Sequence, residues 1–478
     1  MTVSVIHNHQ IRYPDASEFF SPSQLYPEYQ FPHTGLKQNL AYDAVRNCLA
    51  QAGLDRTNYG TPSWNPLRYV ISEGSSVFIL CNFVYHKRPH ETLEDFYSKC
   101  THGSVLRAVI DYILLAVGEK GVVRFGNAPI QSCDWGRVLD ESGAAKVLEF
   151  YRNFGRHRVE ACDLRSYIVK RQLLGGIKPV DKKDEQDEVE IDLGNDSLLE
   201  ELYTSTREPK FRSLDYNPQL TKRYHGKNKH VYVLNKKILD ADVIVGIPKL
   251  KTHEKVGATL GIKNCVGSIA HKHCLAHFRL GSPSSGGDEY QNGLFMNSLE
   301  SKLDEFISTR KHSPISNSLR TVIFILRKFI FYVLGRNVGG GWVGNNTTWR
   351  TGMDIARILK HSDKTGAMCG NEKRKLIVFI DGIVSGESNG PLMPKAKHYG
   401  YLSYGDDIVS VDYVGACFMG LNPEKIPIIR NAFSLTTYSL TKSNISEIRA
   451  IVNGLTYDQE KLRSLDIPSF KLPAGWGD

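Results

Sequence analysis

The sequence predicts an α/β protein of two lobes, with mostly parallel sheets and crossover helices. Short runs of β-branched and apolar residues recur along the chain at Val77–Cys81, Val122–Phe125, Val243–Ile247 and Leu376–Ile380. Between the first two lies Ser104–Val117, whose apolar residues follow helical spacing. Strands alternating with helices of that length imply parallel pairing through crossovers. The chain has 478 residues, 41% hydrophobic and 23% charged, which exceeds one typical domain and supplies a packed core.

In chain order, residues 1–66 form an N-terminal extension rich in Tyr, Pro, Asn and His, with one helix at Leu40–Ala52. Residues 67–180 make the first lobe. Residues 181–212 form a charged linker, and the stretch Pro179–Glu190, PVDKKDEQDEVE, which spans its start, is a solvated loop or lobe boundary. Residues 213–280 carry the core motif of the second lobe, and 281–370 an insertion. Residues 371–450 complete the α/β core, and 451–478 are a tail. Within the insertion, Thr321–Leu334 is about 14 residues long and contains Arg327 and Lys328, against the roughly 20 apolar residues a spanning helix needs. It is expected to be a buried helix, with peripheral membrane contact through residues 320–336 as the alternative.

Composition narrows the partners. Sixty Lys and Arg against 51 Asp and Glu leave a net charge of +9 and a pI near 8.9, favouring anionic partners. No zinc-finger spacing, aromatic RNA-binding signature or dense basic helix accompanies that charge, so no nucleic acid is expected. The N-terminus shows neither the basic nor the apolar region of a secretory signal. Nine cysteines without a CxxC pair suit reduced thiols and a cytoplasmic location, with no iron–sulfur cluster.

The densest chemistry lies in Pro248–His277, which begins where the strand Val243–Ile247 ends. Lys249, Lys251, Lys255 and Lys263 are cations, while Gly257, Gly261 and Gly267 let backbone N–H groups approach a ligand. His253 is the candidate general acid/base. Lys263 is a candidate nucleophile, Schiff-base former or anion anchor. Lys249, Lys251, Gly257, Gly261 and Asn264 are expected to hold substrate. Cys265, His271, His273 and His277 offer soft ligands for a divalent metal, at a spacing that matches no standard finger. The alternative for this run is a tight turn with an exposed basic loop.

Three smaller constellations follow. Gly126-Asn127-Ala128-Pro129 is a turn at a sheet edge. Gly339–Arg350, GGGWVGNNTTWR, offers Trp349 and Arg350 for stacking on a planar or sugar ligand, or else tryptophan packing at a hinge. Asp381–Pro391 follows a buried strand as a flexible loop, with Asp381 and Glu387 for proton handling or cation binding and Asn389 for substrate. Asp412 either joins these carboxylates or caps a helix.

Ala241–Ile244 running into Pro248–His253, then Gly257, Lys263-Asn264 and Gly267, resembles the family known as domain of unknown function 362. The later DGIVSGESNGP and Asp412 followed by Met419-Gly420 match the same family, with Asn82, Thr101–Ala108 and the GNAP turn as weaker matches. The resemblance covers most of residues 75–430 and implies no settled reaction. Many members append a ferredoxin-like domain whose paired cysteines this sequence does not show. The GGGWVGNNTTWR segment is similar to longer members associated with surface-polysaccharide gene clusters. A more distant likeness is to the nickel-pincer lactate racemase family, in which a histidine precedes a cofactor-bearing lysine by ten residues, as His253 precedes Lys263. The first lobe lacks that family's other acid/base histidine, so the likeness implies shared architecture before shared chemistry. The sequence therefore predicts an enzyme, isomerase-like or redox, acting on an anionic small metabolite between the lobes, with an unidentified cofactor. The alternative is a non-catalytic binder or assembly factor for an anionic ligand.

Overall fold

The computed structural model describes residues 2–477 apart from 155–156, 172–176, 182–186, 205–206, 214–217, 293–305, 307–321 and 323–338. Its centre is a sheet of 11 strands. In chain order these are β1 (Thr2–His7), β2 (Ser76–Cys81), β3 (Val122–Asn127), β4 (Arg158–Asp163), β5 (Val243–Ile247), β6 (Lys249–His253), β7 (Gly257–Thr259), β8 (Lys375–Asn389), β9 (Met393–Gly405), β10 (Arg449–Val452) and β11 (Leu455–Asp458). The spatial order is β11-β10-β1-β9-β8-β5-β2-β3-β4, with β6 lying against β8 and β7. Pairing is parallel from β8 through β5, β2 and β3 to β4, and also between β6 and β8. The α/β prediction, with mostly parallel pairing and crossover helices, is borne out.

The continuous apolar runs are what a strand buried on both faces requires. In β2, Phe78 and Leu80 enter one core while Val77, Ile79 and Cys81 enter the other. In β8, Leu376, Val378 and Ile380 alternate in the same way with Ile377 and Phe379. Helices α1 (Leu40–Gln51), α2 (Gly103–Val117) and α3 (Ala144–Phe154) cover one face. Two helices, α5 (Thr348–His361) and α6 (Ile408–Phe418), cover the other, and before them in the chain a short helix α4 (Gly261–Asn264) follows the hairpin β6–β7. The α2 crossover joins β2 to β3, as the helical spacing at Ser104–Val117 predicts.

Several sequence expectations need correction. The N-terminal segment is not an appendage, because β1 sits inside the sheet between β9 and β10. The tail likewise supplies the end of β10, all of β11 and Trp476, which packs over the hairpin. Part of the charged stretch is a strand: Glu188–Asp192 pairs antiparallel with Lys229–Asn235, burying Ile191 while its acids face outward. Asp381–Asn389 is not a flexible loop but the continuation of β8, paired with β9 across to Met393. Its glycines permit this. A Cβ on Gly386 would lie 2.9 Å from the Cβ atoms of Lys251 and Pro394, so only glycine lets β6 and β9 flank β8 this closely.

Among the described residues no helix is long and apolar enough to cross a membrane. The segment Thr321–Leu334, Val322 excepted, lies outside the described residues, as do Arg320 and Arg336.

Candidate functional site

The hairpin β6–β7 is built on the C-terminal end of β5. Pro248 separates the two strands, and β6 then pairs with β8 from Lys249 opposite Asp381 to Lys251 opposite Gly386. The chain turns at Glu254–Val256 and returns antiparallel, placing Gly257 opposite His253 and Thr259 opposite Lys251. Gly257 has φ +84°, a conformation that disfavours any side chain, and the ring of Trp476 lies where a Cβ would point. Trp476 Nε1 also donates to Glu254 O at 2.6 Å, so the C-terminal residues close over this turn.

Next comes α4, held by one carboxylate. Asp412 accepts the backbone N–H groups of Gly261 at 2.6 Å and Ile262 at 2.9 Å. The helix-capping reading of Asp412 is thus the one the structure adopts. Burial pushes its carboxyl up to about 7, against the pull of those two N–H groups. The folded state therefore binds this proton more tightly than the unfolded chain, whose ordinary value is 3.8. The stability this contributes is complete below about pH 4 and is lost as pH rises through 7. Asp412→Asn removes the titration, so stability measured by urea unfolding is expected to vary less between pH 4 and 7 in the variant than in the native protein. Parallel profiles for the two proteins would contradict this account of Asp412.

The six basic side chains near α4 divide into two groups. Lys251 donates to Asn82 Oδ1 at 2.6 Å and to Lys99 O at 2.8 Å. Lys272 donates to Ala128 O at 2.8 Å and Ile269 O at 3.1 Å, and is pulled down to about 7 by burial. Lys255 bonds Gly339 O and lies 3.5 Å from Glu254. These three are tied to the protein.

Lys263, His253 and His277 are less committed. Lys263 has no hydrogen bond or ion pair among the described residues and keeps part of its side chain exposed. Burial and then Lys255 lower it to about 8. His253 Nδ1 accepts the N–H of Lys255 at 3.0 Å, so the proton of the neutral ring sits on Nε2. Burial first, then Lys263, Lys255, Lys251 and His277, hold that imidazole well below its usual range. His277 shares Nδ1 with Ser213 Oγ at 3.1 Å and is lowered by burial, Lys263, Lys255 and Lys272. No carboxylate is among the groups that shift Lys263 or His277, and the largest charges acting on His253 are all basic.

Other predicted residues are placed elsewhere or already engaged. Lys249 and Asp381, expected to clamp substrate and to move protons, form a wholly buried ion pair at 3.1 Å. Tyr13 completes that network, accepting from Lys249 at 2.7 Å and donating to Asp381 at 2.5 Å, and the backbone N–H of His102 donates to Asp381 at 3.2 Å. Lys251 is equally enclosed, so neither lysine presents its charge to a ligand. Glu387 accepts from Lys397 and from the Lys471 N–H, both at 3.2 Å, and Asn389 accepts from the Ala474 N–H. Asn264 is held between Leu80 O and Asn82, while Gly261 is spent on Asp412.

Trp349 is buried, bonding Asn346, with the Arg350 guanidinium 4.4 Å over its ring. Arg350 in turn pairs with Glu201. Packing, not ligand stacking, accounts for both.

The proposed metal ligands do not assemble: among the described residues no three His, Cys, Asp or Glu side chains are placed to hold a metal. Cys265 donates to Gly261 O and its thiol is pushed up by burial. His271 and His273 pack around Tyr167, at ring separations of 5.3 and 5.6 Å, while His277 faces the lysines. Sequence reasoning missed Lys272 as a member of the basic cluster and Tyr13 as the partner of Lys249. No local sequence signal marks Lys272, whose acceptor Ala128 O lies in the distant GNAP turn.

Residues 180–417 match the model of a family described as domain of unknown function, DUF362. No curated protein matches the chain. A crystal structure of a Thermotoga maritima protein, a Northeast Structural Genomics Consortium target, is similar over 78% of this chain and 55% of that one, with 9% identity and a TM-score of 0.30. The chain thus spans little more than half the length of that structure, and a likeness so distant carries no argument.

Proposed function

We propose that this chain, which belongs to the domain of unknown function 362 family, takes a small anionic metabolite bearing phosphate or carboxylate at His253 and Lys263 and acts on it there. The observation that carries this reading is the positive field at Lys263 and His277, which Lys255 supplies at both and no carboxylate offsets among the described residues. Like charges brought together out of water repel, and each disfavours protonation of its neighbours. An anion seated among them relieves that cost, so binding and protonation of Lys263 reinforce one another. His253 supplies a neutral N–H at Nε2, suited to an oxygen ligand, and makes no other hydrogen bond through that atom among the described residues. Groups whose protonation is displaced by burial and by specific charged neighbours concentrate at functional sites, which favours chemistry over passive binding.

Titration with inorganic phosphate tests this. Saturable binding is expected, together with a rise in Tm that grows with ligand concentration, because only the folded state holds the cluster. Neither heat nor a Tm shift with phosphate, pyrophosphate or citrate would overturn the reading.

A further inference from the structure

We propose that the anion taken at this site also carries an aldehyde or ketone carbonyl, and that Lys263 is the amine that forms an imine with it. The inference rests on the anion-binding reading and deepens it. Its basis is a division of labour among the lysines. Lys251, Lys255 and Lys272 spend donors on protein oxygens, which holds their ammonium ends in place against the protein. Lys263 alone of the four has no such bond among the described residues, and α4, pinned by Asp412, fixes its backbone.

A lysine meant only to anchor an anion gains from neighbouring carboxylates that keep it charged and oriented. Here it is half-buried beside the cation of Lys255, the setting that leaves an amine nucleophilic near neutrality. The depressed value near 8 agrees with that setting. The positive field of Lys255 at Lys263 favours the anionic end of the ligand, and the Nε2–H of His253 is available to the carbonyl oxygen.

The chemistry balances without an outside reagent. The neutral Nζ of Lys263 adds its lone pair to the carbonyl carbon, and the C–O π pair moves to oxygen. That oxygen takes one proton from the nitrogen, giving a carbinolamine. The C–O bond then breaks and the oxygen leaves as water with the second amine proton, while a C=N bond forms. Nothing is oxidised or reduced.

The test uses the full chain with two probes, glyoxylate as an aldehyde carboxylate and pyridoxal phosphate as an aldehyde phosphate. Each is incubated at mildly alkaline pH and reduced with borohydride, and the protein is analysed by intact and peptide mass spectrometry. One dominant adduct is expected, mapped to Lys263, suppressed by excess phosphate and absent from Lys263→Arg. Circular dichroism of that variant establishes that it is folded. Absence of a Lys263 adduct with both probes, or modification spread evenly over surface lysines, overturns the proposal. Where phosphate still binds the native protein, the imine alone has failed; where phosphate does not bind either, the anion reading has failed with it.

Discussion

Asp381→Ala is expected to destabilise the protein by about 3–5 kcal/mol, because it strands the buried ammonium of Lys249. Both side chains are fully enclosed, and Tyr13 and the His102 N–H complete the carboxylate's shell. Burial already lowers Lys249, with Asp381 the chief force keeping it charged. Without that acid, the folded state favours the neutral amine more strongly. A lysine whose folded value lies below its unfolded one releases a proton on folding, so the variant should regain stability as pH rises toward 10.5. The double variant Asp381→Ala/Lys249→Met should lose less than the sum of its parts, since it removes both charges. Urea midpoints for the single and double variants measure this. A single-variant loss below about 1 kcal/mol, the range of an exposed pair, would show that the network does not hold the sheet edge together.

The second large effect concerns ligand affinity. Lys263→Ala is expected to weaken phosphate binding about 10- to 100-fold, the loss of one charge-assisted hydrogen bond in an enclosed site. The native affinity should fall as pH rises through about 8, where Lys263 gives up its proton. In Lys263→Ala that component should vanish, leaving only the second ionisation of the ligand. Stability should change little, because Lys263 makes no hydrogen bond among the described residues. Calorimetric titration across pH separates these effects, and equal affinities for the native protein and the variant would remove Lys263 from the site.

Much of the scaffold is legible locally. Leu40–Gln51 and Gly103–Val117 announce themselves by helical spacing, and β5 and the start of β8 by unbroken apolar runs bounded by turns. What sequence reasoning misses is set by distant partners. Strand β1, TVSVIH, carries a β-branched pattern of only six residues, and its place between two strands is fixed by pairing Ser4 with Tyr404 and with Ile451, far away in sequence. The same holds for Lys249 and Lys251. Two lysines at alternate positions after a strand suggest a ligand clamp. Whether they face ligand or protein depends on Asp381, Tyr13 and Asn82, none of them near in sequence. His253 and Lys263 are legible as a pair because the short hairpin and α4 bring them together over ten residues.

The most direct test of the account is a crystal soaked with tungstate, whose heavy atom marks an oxyanion by anomalous scattering. The account predicts a single strong peak within hydrogen-bonding reach of both His253 Nε2 and Lys263 Nζ. Strong peaks only at other basic surfaces, with none between these two atoms, would contradict it.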